Sequence, residues 1–265
     1  MKIWAVANQK GGVGKTTTTI TLASILARRG GRVLVVDLDP HGSLTSYLGL
    51  DPADSSYGVY KAFSENQHAI RENIRTTNID GINIYKSSLM LATIDRSIGG
   101  NPGKGLVLKR ALSTVAESYD YVLIDCPPIL GVLMINALAA CDFLIIPSQA
   151  EHLSLNGLQR MVETLAMVNK SININLDYLI VPTMFDRRTK ISFSSLEVMN
   201  NTYSDHIWRN YIPVDTKLRD ASRTGVSVLD IAENTRSSVA YKQLTNDIIV
   251  RCKNTYQNVV LEEAI

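Results

Sequence analysis

Short runs of apolar residues, each bounded by polar or glycine-containing segments, set the rhythm of this chain. They fall at residues 3–7, 33–37, 82–85, 121–125, 143–147 and 179–182 and are rich in Val and Ile. Runs this short, apolar at nearly every position, read as strands buried on both faces. The stretches between them have helical length. Residues 16–29, stopped by Gly30-Gly31, then 106–117, 133–140, 155–170 and 194–203 are predicted helices. A last helix is predicted over 235–254, followed by a frayed tail over 255–265. Strands alternating with helices imply βαβ units, and so a doubly wound α/β fold with a mostly parallel sheet and helices on both faces. Residues 51–78 are polar and irregular, and the glycine-rich segment 99–105 is expected to be an exposed loop, because no strand closely precedes it. With no repeat and no dividing linker, residues 1–265 read as one domain, 1–254 forming its core.

Charge narrows the partners. Lys and Arg total 27 against 25 Asp and Glu, a formal net charge of +2, so any nucleic-acid contact must come from a local patch. Cys126, Cys141 and Cys252 are odd in number, far apart and never in a CxxC pair, which argues against a disulfide framework or a structural zinc site. The N-terminal run turns polar at Asn8, and no apolar run approaches the ~18 residues of a membrane span. A cytoplasmic protein is expected. His41, His68, His152 and His206 lack metal-ligand spacing and read as ordinary surface or loop residues, and Trp4 and Trp208 as core.

The strongest chemical signal is Asn-Gln-Lys-Gly-Gly-Val-Gly-Lys-Thr-Thr at 8–17, between a predicted strand and a predicted helix. A nucleoside triphosphate needs several backbone N–H groups converging on its oxygens, and Gly11, Gly12 and Gly14, with Val13 among them, give a loop free to supply them. The helix that follows adds the positive end of its dipole. Lys15 is placed to reach the β and γ phosphates, Thr16 to ligate Mg²⁺ and Thr17 to touch the α phosphate. Hydrolysis also needs carboxylates near the loop, and Asp37, Asp39 and Asp125 sit at the ends of apolar runs. Asp125, after Val122-Leu123-Ile124, is placed as a metal-binding carboxylate.

Gln9 stands where the usual motif begins with glycine, and a second lysine, Lys10, follows it. Residues 10–17, with Val-Leu-Val-Val-Asp-Leu-Asp-Pro-His-Gly at 33–42 and Tyr-Asp-Tyr-Val-Leu-Ile-Asp-Cys-Pro-Pro at 119–128, resemble the deviant Walker A box and later motifs of the ParA/MinD family of P-loop ATPases. The resemblance implies ATP and Mg²⁺ as ligands and a homodimer in the ATP-bound state. It implies a catalytic set of Lys10, Lys15 and Asp39, in which Lys10 crosses to the partner's phosphates and Asp39 positions the attacking water. It places Asp37 near the metal with Thr16 and Asp125. It also matches 181–186 and 211–215 to segments bordering adenine, which assigns Met184, Pro213 and Asp215 to the base.

Such ATPases position cargo, turn over slowly and respond to a protein partner, here ParB-like or ParP-like, that stimulates hydrolysis or links to the cargo. Three destinations separate. MinD-type members end in a basic amphipathic membrane helix, whereas this sequence ends Val-Val-Leu-Glu-Glu-Ala-Ile, so no membrane docking is expected. ParA partition proteins bind DNA nonspecifically, which implies a basic face drawn from the Lys and Arg between 187 and 251. Because the residues open at the first strand rather than with the operator-binding helices of longer plasmid ParA proteins, autoregulation by specific DNA binding is not expected. The variant Asp-Leu-Asp-Pro-His-Gly-Ser-Leu-Thr at 37–45 resembles the ParA-like proteins called ParC, which place chemotaxis arrays at the cell pole. Polar positioning of arrays is therefore the first reading, with chromosome or plasmid partition at the nucleoid as the alternative. A remote third is an iron–sulfur electron-transfer ATPase similar to nitrogenase iron protein, which needs cysteines bridging a dimer; Cys126 and Cys141 are available.

Overall fold

The structure, a computed structural model, describes residues 1–64, 70–97 and 104–262. The first half runs β1 (Lys2–Val6), α1 (Lys15–Arg28), β2 (Val33–Asp37), α2 (Ser43–Tyr47), α3 (Val59–Ser64), α4 (Ile70–Asn73), β3 (Arg75–Thr76), β4 (Ile82–Tyr85) and α5 (Leu91–Ser97). A 3₁₀ turn at Lys104–Leu106 leads to α6 (Val107–Ser113), β5 (Tyr121–Asp125), α7 (Val132–Ala140), β6 (Phe143–Gln149) and α8 (His152–Ile172). The rest is β7 (Tyr178–Thr183), α9 (Lys190–Thr202), α10 (Thr216–Thr224), α11 (Val228–Ile231) and α12 (Arg236–Glu262).

The seven strands lie in the order β3-β4-β2-β5-β1-β6-β7, all neighbours parallel except the short β3 against β4. Each strand feeds two cores by alternation. Ala5, Leu34, Val36, Val122, Ile124 and Ile146 face one side with α6, α7 and α8, while Trp4, Val6, Val33, Val35, Leu123 and Ile145 face the other with α1 and α12. That two-sided burial is why the strands read as continuous apolar runs. Trp4 and Trp208 are both core residues.

The chain leaves β1 towards β2 on one side and later crosses it from β5 to β6 on the other. This reversal opens a crevice at the carboxyl ends of β1 and β5, where α/β sheets hold ligands.

Three expectations change. The helix predicted over 106–117 ends at Ser113, because Thr114, Val115 and Ser118 bond back three residues rather than four. The irregular stretch 51–78 contains α3, α4 and β3, elements too short to show a period. The predicted tail is helical as far as Glu262. Of the predicted loop at 99–105, residues 99–103 lie outside the described residues.

Candidate functional site

β1 delivers its carboxyl end to a loop that glycine lets turn. Gly12 and Gly14 hold φ of +75° and +91°, where L side chains rarely settle, and Gly14 caps the N-terminus of α1. Gly11 is different: its φ is not positive, and a Cβ there would meet nothing within 4 Å. The loop by itself does not require glycine at 11, and the open space over its backbone leaves that backbone accessible to a ligand. The base of the loop is tied down. Asn8 Nδ2 donates to the Pro147 carbonyl at 2.7 Å, Gln9 Nε2 to Thr164 Oγ1 at 2.7 Å, and Thr183 Oγ1 to the Val13 carbonyl at 2.9 Å. Gln9 thus replaces the usual glycine with an anchor onto α8.

Lys15 is 8% exposed, and its Nζ reaches the Lys10 carbonyl at 3.3 Å without a salt bridge among the described residues. A buried ammonium held by one long bond is costly unless an anion joins it. Next along α1, Thr16 Oγ1 donates to Asp125 Oδ2 at 2.6 Å. The other oxygen, Asp125 Oδ1, is buried with no hydrogen-bond partner among the described residues. An orphaned carboxylate oxygen beside a threonine hydroxyl is a donor set that fits a hard divalent cation.

Asp37 is the Cα partner of Asp125 across β2 and β5, and both are buried. Burial pushes both carboxyls well above the ordinary range, and for Asp125 the charge of Asp37 adds to the effect. Asp37, however, is already satisfied: Oδ1 accepts from Asp39 N at 3.1 Å, and Oδ2 from Thr45 N at 2.8 Å and Thr45 Oγ1 at 2.7 Å. Its observed work is to hold the loop between β2 and α2, and its charge, rather than a free oxygen, is what it offers the crevice. Asp39 lies on that loop, with Ser87 Oγ donating to its carbonyl at 2.5 Å.

Lys10 folds back onto its own chain, donating from Nζ to Glu151, the N-cap of α8, and to Ser154 Oγ at 2.7 Å. No local signal announces this contact, because Glu151 and Ser154 belong to a helix start remote in the chain. Around the same face Ile129, Leu130 and Leu153 are 65%, 42% and 74% exposed.

Beside the loop a pocket of about 380 Å³ is lined by Val13, Gly14, Thr17, Met184, Pro213, Asp215 and Tyr241, among others, large enough for a base and ribose. Met184 holds φ +53°, strained for a side chain of its size, and marks a turn built at the pocket wall. Pro213 lines the wall, while the Asp215 carboxylate caps α10 through Lys217 N at 2.9 Å and accepts from Ser237 Oγ at 2.6 Å. The three predicted pocket residues come together, but Asp215 is occupied as a structural tie. Tyr241, which reaches the pocket from α12 and bonds Thr18 at 3.0 Å, carries no local sequence signal.

The cluster-bridging reading finds no support, since Cys126 and Cys141 are buried in the core and burial raises both thiols far above their usual range.

A family profile described as an AAA domain matches residues 1–178. The sporulation initiation inhibitor protein Soj of Bacillus subtilis is 36% identical over 248 residues, 93% of this chain and 98% of Soj. The chromosome-partitioning ATPase Soj of Treponema pallidum is 34% identical, covering 94% of this chain and 98% of that protein. Among solved structures, cobyrinic acid a,c-diamide synthase from Mycobacterium smegmatis, with bound ATP analogue and magnesium, superposes with a TM-score of 0.82 at 31% identity, covering 96% of both chains. Phosphate-type loop, paired strand-end carboxylates and these full-length likenesses agree: the chain belongs to the ParA/MinD family of P-loop ATPases.

Proposed function

We propose that this protein is a magnesium-dependent ATPase whose ATP-bound dimer positions intracellular cargo in the cytoplasm. The observation that carries the reading is the buried Lys15 ammonium, with no salt bridge among the described residues, behind a glycine loop and near the Asp125 carboxyl, one oxygen of which has no hydrogen-bond partner among them. In this mechanism the N–H groups of residues 11–17 and Lys15 grip the triphosphate, and the pocket bounded by Met184 and Pro213 takes the base. Thr16 and Asp125 hold Mg²⁺, with Asp37 adding negative charge; the metal, when bound, neutralises phosphate charge. Asp39 accepts a hydrogen bond from the attacking water and aims it at the γ-phosphorus. The water oxygen bonds to phosphorus as the bond to ADP breaks, and the water's proton passes to the departing inorganic phosphate. Lys10 leaves Glu151 and Ser154 for the partner's phosphates. Its exchange is cheap, because a half-exposed ion pair is worth only about 0–1 kcal/mol. Losing the γ-phosphate removes the bridge and releases the subunits. A ParB-like or ParP-like partner sets the timing.

The metal assignment has its own test. Asp125→Asn removes one of two mutually repelling buried carboxyls, so without ligand it melts no lower than the parent chain. Saturating Mg²⁺ and ATP should raise the parent's melting temperature by about 5 °C or more and the variant's by far less. An equal rise in calorimetry takes Asp125 out of the metal set.

For the cargo, the partitioning name of the Treponema relative supports chromosome or plasmid partition. Arg236 and Arg187 supply part of a basic face, with no carboxylate partner for either among the described residues; they line neighbouring cavities of about 280 and 290 Å³. Other predicted contributors are neutralised: Arg188 pairs with Asp186, Lys217 with Asp220, Lys242 with Glu233 and Arg251 with Asp177. Polar array positioning rests on the His41 variant of the 37–45 motif. Among the described residues no helix is long and apolar enough to cross a membrane. DNA binding separates the cargo readings. Partition predicts ATP-dependent affinity for DNA of any sequence, falling on the order of 100-fold from 50 to 200 mM salt, and a fluorescent fusion spread over the nucleoid. No DNA affinity and a polar focus would favour arrays instead.

A further inference from the structure

The loop from Asp39 to Gly42 is built to fix one carboxylate. Its backbone is pinned by Asp39 N to Asp37 Oδ1 at 3.1 Å, Gly42 N to Asp39 O at 2.8 Å, and the Ser87 hydroxyl. Gly42 turns the chain at φ +63°, where a Cβ would stand 2.4 Å from the Pro52 side chain, so the bend that carries His41 is fixed as well. What remains free is rotation of the Asp39 side chain. His41 removes it: its backbone N–H donates to Asp39 Oδ1 at 3.0 Å, and its ring Nδ1 lies 2.9 Å from the same oxygen. Oδ2 has no partner among the described residues. Because a carboxylate oxygen only accepts, this contact places a ring proton on Nδ1. The ring is 77% exposed, so it contributes little packing.

We propose that His41 is a positioning residue for hydrolysis: its ring N–H holds one oxygen of Asp39 so that the other is presented to the attacking water. The inference rests on the reading of Asp39 as the water-orienting group. The backbone bond alone, which any non-proline residue at 41 would keep, leaves the carboxylate plane free to swing; the added charge-assisted bond at 2.9 Å selects one orientation before substrate arrives. A group acting only through geometry should change turnover and leave affinity alone.

The test compares Asp39→Ala, His41→Ala and His41→Asn with the parent chain. The Asn side-chain N–H occupies the place of Nδ1–H and can donate to the same oxygen. His41→Ala should lose about tenfold in kcat, as expected for one hydrogen bond to a charged group, with unchanged KM and calorimetric affinity for ATP. His41→Asn should recover to within about threefold of the parent. Nitrogen-15 spectra of the nucleotide-free protein should give the Nδ1–H tautomer for His41, reverting to the ordinary Nε2–H form in Asp39→Ala. Parental kcat in His41→Ala, with turnover lost in Asp39→Ala, overturns the role of His41 alone, as does an Nε2–H tautomer in the parent. Turnover retained in Asp39→Ala overturns the underlying reading together with the inference.

Discussion

Lys15→Ala is expected to fold normally and to bind ATP at least about a hundredfold more weakly than the parent chain. Lys15 is buried at the first turn of α1; among the described residues its ammonium donates to the Lys10 carbonyl at 3.3 Å, and the Asp125 carboxyl supplies an opposite charge nearby. Desolvation of the ammonium opposes folding while its attraction to Asp125 favours it, so trimming it to alanine should change the melting temperature little. Binding moves the other way. In the bound state the ammonium meets phosphate oxygens of full charge, and each such hydrogen bond is worth about 1.5–3 kcal/mol, roughly tenfold or more in affinity. Two of them give the predicted loss. Titration calorimetry checks it, and an affinity equal to the parent's would remove Lys15 from the phosphate grip.

Asp39→Ala should separate binding from chemistry. Asp39 lies off the glycine loop on the segment between β2 and α2, with its carboxylate only 14% exposed and oriented by His41. It touches neither Thr16 nor Asp125 among the described contacts, so nucleotide and metal should bind as before. Losing the alignment of a reacting group costs about 100-fold, and turnover should fall by at least about 100-fold while the ATP-bound form accumulates. Phosphate release at the parental rate would take Asp39 off the catalytic list.

The parts of this account that were legible in the sequence are the local ones. Gly11, Gly12, Gly14, Lys15 and Thr16 lie within one turn of chain, so their spacing alone specifies a loop feeding a helix, and the structure builds that loop between β1 and α1. The buried strands were equally plain, because two-sided burial leaves no polar position to interrupt them. Asp37 and Asp125 are 88 residues apart in number, yet both end apolar runs, and their juxtaposition follows from parallel pairing of β2 with β5. What could not be read was the partnership of side chains brought together only by packing. Nothing near Lys10 announces Glu151 and Ser154, nothing in α12 announces Tyr241 in the nucleotide pocket, and the capping role of Asp215 depends on Ser237 from a helix that docks last. His41 carries no legible signal for a related reason: histidine two residues after an aspartate is commonplace, and only a loop fixed by Gly42 and Pro52 turns the pair into an oriented contact.

The central claim is that a triphosphate held by residues 10–17 joins two copies of this chain, with Lys10 exchanging Glu151 for the partner's phosphates. Light scattering on Asp39→Ala, in which hydrolysis is suppressed, tests it most directly. With Mg²⁺ and ATP the particle should have twice the mass of one chain, and with ADP, or with Lys10→Ala added, the mass of one. A single-chain mass at high protein concentration with ATP bound would contradict the account.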